Sequence, residues 1–221
     1  MIKELIQNLR TVDKNIWGLY TFRRDPLCSR ITDEEKIEMI EKTNECGKHE
    51  AIALKEKYGI KSCRGYAEEL GLTITEIEER SGDDYILFAK FNSPNKISIC
   101  SNNVKAAEEV VEKENISKFI DEVKIEDVLI AHEMFHFIEG GNKEIYTRST
   151  KIRLWKLGPI KNDSGFISLG EIAAMAFAKE LLQLTYYPNL FDVLLLYPHD
   201  EKRAKVLFDE VYAMKGADSN V

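Results

Sequence analysis

Val128-Leu129-Ile130-Ala131-His132-Glu133-Met134-Phe135-His136-Phe137-Ile138-Glu139-Gly140-Gly141 is the stretch on which the reading of this chain turns. Apolar residues run almost without a break around the polar trio, which predicts a buried helix closed by the two glycines. Two histidines four apart lie one turn apart on one helix face, so both imidazoles can reach a single metal ion. Glu133 sits about 100° round the helix from His132. There it can touch a water held by that ion without being a ligand itself. Imidazoles and a carboxylate on a buried helix need partners, and a metal with its water supplies them. The plainer alternative is a core helix whose histidines are satisfied by hydrogen bonds.

A catalytic zinc site of this kind takes a third protein ligand and leaves one position for water. After His136 the only histidine is His199, too far on for a third histidine at short spacing. The remaining ligand is then a carboxylate, with Glu139, Glu144, Asp163, Glu171 and Glu180 as candidates. Glu171 stands on an apolar face with Ala174, Met175, Ala178 and Leu182, where a charge needs a reason. Ser168-Leu169-Gly170-Glu171 also fits a capping box, which would give Glu171 a purely local role. Glu139, at the end of the zinc helix, is expected to be solvated. Tyr146, Arg148, Arg153 and His199 are candidate donors to the charge that develops on a scissile carbonyl.

The elements around the motif predict an α+β fold, mostly helical, with a small antiparallel sheet packed beside the HExxH helix. Thr32-Asp33-Glu34-Glu35 reads as a helix start and Gly59 as its end. Tyr66 to Leu70 reads as a short helix. Tyr85 to Phe91 and Lys96 to Cys100 flank Asn92-Ser93-Pro94-Asn95 as a hairpin, and Leu72 to Ile74 is a possible edge strand. Further helices are expected at 104–114, 116–139, 168–186, 190–197 and 200–214. Residues 1–221 read as one domain, with 50–186 as the catalytic core and 1–45 as a helical extension: a short helix to Leu9, then an irregular stretch.

Composition sets the outer limits. The 221 residues are 44% hydrophobic and 31% charged, ordinary for a globular chain. The formal charge of −7, from 31 basic and 38 acidic side chains, gives no support to broad binding of phosphate backbones, so no nucleic-acid partner is expected. Neither a leader nor a membrane span is expected, because Glu171, Lys179 and Asp192 interrupt the apolar runs; the expected location is cytoplasmic. Cys28, Cys46, Cys63 and Cys100 have no paired spacing and read as thiols. Cys46-Gly47-Lys48-His49 with Cys63 is a weak alternative zinc set.

The chain resembles the ImmA/IrrE family of metallopeptidases, in which an HExxH helix precedes a helix of pattern E-x-x-A-N-x-F-A-x-x-L-L. Glu171, Ala174, Phe177, Ala178, Leu181 and Leu182 stand at those spacings. The chain departs at Met175, where the family often has asparagine, at Met134-Phe135, where glycine commonly precedes the second histidine, and in lacking a proline after the double leucine. The resemblance covers roughly 50–186 and is that of a distant, gluzincin-like member. It implies Glu171 as third zinc ligand, Glu133 as general base and an intracellular protein as substrate. Two competing readings are a non-catalytic zinc-binding module and a DNA-binding regulator. The second rests on Tyr66 to Thr73 followed by Glu76-Ile77-Glu78-Glu79, which resembles the start of a helix-turn-helix.

Overall fold

The computed structural model describes residues 1–78 and 86–218. The protein is a mostly helical α+β fold. Its central element is α3 (Asp33–Tyr58), and the local sequence explains both ends. Thr32 and Glu35 form a reciprocal capping box at the start, and Gly59, at φ 73°, stops the helix. Between them Ile40, Asn44, Gly47, Ala51 and Leu54 are buried, spaced three and four apart along one face.

That face receives α8 (Ile167–Leu182) at very close range. A Cβ on Gly47 would stand 2.1 Å from the Ala173 carbonyl oxygen, so only glycine lets the two backbones approach this way. On the other side of α8 lies α6 (Ile125–Gly141), with the Phe135 and Phe177 rings 5.8 Å apart between centroids. The motif helix starts later than the expected 116–139: a short 3-10 turn, Ser117–Ile120, and left-handed Asp121 and Glu122 break the chain before it. The helix after it ends at Leu182, short of the expected 186, because Gln183 is left-handed at φ 54°.

The expected hairpin is antiparallel, and the expected edge strand joins it in parallel, so the small sheet is mixed. β1 (Thr73–Ile77) pairs in parallel with β3 (Lys96–Cys100), while β2 (Ala89–Asn92) pairs antiparallel with it, giving the order β1-β3-β2. The hairpin partner β2 is thus left at a free edge, against α6, where the Phe91 and Phe137 rings meet at 5.9 Å. β2 is shorter than the expected strand, whose first residue, Tyr85, lies outside the described residues. Thr73–Ile77 being strand also removes the second helix of a helix-turn-helix; Glu79 lies outside the described residues.

Two further pieces position the site. The stretch expected to be irregular after Leu9 contains α2 (Lys14–Phe22), capped by Asp13, whose carboxylate accepts from the Asn15 and Ile16 amides. Together with α1 (Ile2–Leu9) it buries Ile2, Ile6, Leu9, Ile16 and Trp17 in the same core as α6 and α8. Between α6 and α8 stands an unforeseen hairpin of β4 (Lys151–Leu157) and β5 (Ile160–Gly165), turned at Gly158-Pro159, with a register shift between Arg153 and Trp155. The chain closes with α9 (Leu190–Leu196) and α10 (Glu201–Asp218). No helix among the described residues is long and apolar enough to cross a membrane.

Candidate metal centre

Three ligand side chains converge where α6 and α8 cross. His132 Nε2 lies 3.2 Å from His136 Nε2 and 3.3 Å from Glu171 Oε2, and His136 Nε2 lies 3.5 Å from the other carboxylate oxygen, Glu171 Oε1. Donors bonded to zinc at tetrahedral angles and about 2.0–2.1 Å are separated by about 3.3–3.4 Å. One ligand atom from each residue lies within 4.8 Å of the others, so small side-chain rotations bring the set to that spacing and the residues fit the ion. Among the described residues they form the one group of three or more histidine, cysteine or acidic side chains gathered in this way. Cys46, His49 and Cys63 are not brought together, and the His49 side chain is 79% exposed.

Electrostatics tie two of these side chains to each other. Burial opposes charge on His132, yet contact with Glu171 outweighs it and lifts the imidazole to about 9. Burial likewise opposes charge on Glu171, and the two histidines still hold its carboxyl at about 2. The pair is a salt bridge, and His132 gives up its proton when its nitrogen takes a dication. His132 Nδ1 is buried with no hydrogen-bond partner.

The capping alternative for Glu171 does not survive. The helix begins at Ile167 after Phe166, which makes no side-chain cap, and the Ser168 amide donates to Asp25 Oδ2 at 2.9 Å. The other candidate ligands are elsewhere: Glu180 pairs with Lys55 at 2.7 Å, Asp163 with Arg153 at 2.8 Å, and Glu144 is exposed. Glu139 is not solvated as expected. Its side chain is 19% exposed and meets Nδ1 of His136, at 3.5 Å.

Glu133 faces the free edge of the sheet. Its Oε2 accepts the Phe91 amide of β2 at 2.6 Å, and it shares with His132 and Glu171 the wall of a cleft of about 440 Å³. The Cys100 amide donates to the Phe88 carbonyl, so by antiparallel alternation the backbone groups of Ala89 and Phe91 point away from β3. Among the described residues no strand pairs with that edge of β2, and its Phe91 amide is taken by Glu133.

The lining of the cleft also includes residues that motif reading missed. Tyr20 and Arg24, from α2 and its C-terminal turn, line the cleft with Asp25 and with Asp192 of α9. Arg24 donates to Tyr20 Oη and its guanidinium lies 4.1 Å from the Tyr20 ring centroid. Burial pushes the Tyr20 phenol up, which keeps its proton in place as a donor. Burial also pushes the Asp192 carboxyl up, to about 6, against the pull of Arg24 and His132. The only available signal was Asp13, a helix start that would have shown Tyr20 and Arg24 one turn apart on one face.

None of the four expected donors lines this cleft. Arg148 donates to the Glu139 and Gly140 carbonyls at the end of α6, and Arg153 is held in the hairpin by Asp163. Tyr146 packs beside Phe166 and Leu169, and His199 against Phe88. Comparison with family models, with curated proteins and with solved structures returned no match.

Proposed function

We propose that this chain is a zinc-dependent metallopeptidase, distantly akin to ImmA/IrrE enzymes, that cuts an intracellular protein. The observation that carries this reading is the convergence of His132, His136 and Glu171, with ligand atoms within 4.8 Å of one another, beside an intact Glu133 that holds the outer edge of β2. Zinc, when bound, lowers the pKa of a water from about 16 towards about 7 and polarises a carbonyl.

The chain's own groups supply the rest. Glu133 takes a proton from the attacking water and returns it to the leaving amine. The outward groups of Ala89 and Phe91 suit an extended peptide added alongside β2, with main-chain bonds holding it and side chains alternating into the cleft. A substrate laid there competes with Glu133 for the Phe91 amide, which frees the carboxylate to face the water. Tyr20 Oη and Arg24, which line the same cleft, are the donors we assign to a developing oxyanion.

The test pairs metal with turnover. Purified protein should carry about one zinc per chain, and His132→Ala and His136→Ala should each lose it. Glu133→Gln should keep zinc while losing cleavage of a diverse synthetic peptide mixture read by mass spectrometry. Zinc retained at full occupancy in both histidine variants overturns the site. Zinc bound with no cleavage in any pool favours the non-catalytic module.

A further inference from the structure

The two histidines of the centre differ in what stands behind them. Nδ1 of His132 is buried without a partner, whereas Nδ1 of His136 meets the Glu139 carboxylate at 3.5 Å. Glu139 touches the ring nitrogen opposite the one that faces His132 and Glu171. It therefore stands outside the ligand triangle, although it lies on the same helix only one turn beyond His136.

We propose that Glu139 is the positioning carboxylate of the metal centre, holding the Nδ1–H of His136 so that Nε2 presents its lone pair, in a slot that Gly170 keeps open. A neutral imidazole ligates through one nitrogen only when its proton is on the other, and an acceptor at that other nitrogen fixes both tautomer and ring angle. A carboxylate is the strongest such acceptor, and it also raises the basicity of the ligating nitrogen.

Two further observations support the assignment. No lysine or arginine forms an ion pair with Glu139 among the described residues, so its charge is directed at the imidazole. Finally, a Cβ on residue 170 would stand 3.2 Å from both Glu139 carboxylate oxygens. Gly170 immediately precedes Glu171, so the same turn of α8 supplies a ligand and makes room for the carboxylate behind another.

The proposal rests on the zinc reading above, and one titration separates their failures. Zinc affinity is measured by chelator competition for wild type, Glu139→Ala, Glu139→Gln and Gly170→Ala, with cobalt(II) visible spectra recorded on each. Glu139→Ala should bind zinc 10–100-fold more weakly, with shifted cobalt bands. Glu139→Gln should recover part of the loss, because its amide oxygen still accepts the Nδ1 proton. Gly170→Ala should weaken zinc binding too, and should add no further loss in the Glu139→Ala background. Glu180→Ala, which removes an acidic partner from the same α8 helix, should leave affinity and spectrum unchanged. If Glu139→Ala misfolds, the glutamine and Gly170 variants carry the result. Affinities within twofold of wild type in these variants overturn the positioning role while leaving the zinc reading intact. A wild-type chain with no affinity for zinc overturns both.

Discussion

α6 and α8 are connected twice, and the two connections differ in kind. In space they are joined through the core, where α3 seats α8 backbone to backbone at Gly47 and Phe177 meets Phe135. Along the chain they are joined by the β4–β5 hairpin, whose Trp155, Leu157 and Ile160 are 49%, 74% and 60% exposed. A metal centre needs its donors fixed to fractions of an ångström, and only the first connection has the packing density to do that. A lone two-stranded ribbon is marginal in water. The hairpin therefore closes the chain between the ligands without setting their distance.

Breaking the packed connection should have the largest effect. Phe177→Ala removes a fully buried ring between α6 and α8 and should cost about 3–5 kcal/mol in denaturant unfolding of the metal-free protein. Gly47→Ala comes next, at about 1–3 kcal/mol, since the added methyl meets the α8 backbone and not a movable side-chain tip. Gly18 is the side-chain counterpart: a Cβ there would stand 2.5–2.7 Å from Cγ1, Cδ1 and Cγ2 of Ile40, a fully buried, β-branched side chain with little room to turn. Gly18→Ala should also cost about 1–3 kcal/mol under the same assay. Smallest of all, Leu157→Ser and Ile160→Ser should each change stability by no more than about 0.5 kcal/mol. Replacing residues 152–164 by a short glycine-serine turn should leave zinc affinity within a few-fold of wild type, as Lys151 and Gly165 are already paired. A tenfold loss of affinity there would assign the hairpin a part in holding the ligands.

What the sequence disclosed follows the range of the forces involved. Helix starts and stops set by neighbouring residues were readable: Thr32, Gly59 and the paired glycines after Glu139 mark observed ends or lie beside them. The Glu171 position was readable because a carboxylate on an apolar face asks for a partner. The identity of the hairpin was readable, but not its place in the sheet. Which edge β2 occupies depends on β1 pairing in parallel with β3, Thr73 opposite Lys96, a contact no local pattern encodes. α2 was hidden because Gly18 interrupts it, and the reason for that glycine lies in Ile40 of another helix. Glu139 was misread for a related cause. Nothing beside it in the chain shows that the turn carrying Gly170 folds over it.

The irregularity in β4 bears on how this chain tolerates changes of length. Strict alternation from Lys151 would put Lys151, Arg153, Trp155 and Leu157 on one face. Arg153 pairs with Asp163 and Trp155 with Asn162, so Leu154 is an extra residue without a rung of its own. The effect is to sort the ribbon: Lys151, Arg153, Lys156 and Lys161 fall on one side, and Ile152, Trp155, Leu157 and Ile160 on the other. A one-residue insertion has in effect been absorbed on the spot, with every later side chain kept on its proper face. The helices that carry the candidate metal ligands have no such give. One residue inserted between Glu133 and His136 would turn the second histidine by about 100° and carry it out of the triangle. Length variation in relatives of this chain is therefore expected in the ribbon and excluded from the turns of α6 and α8 that face each other.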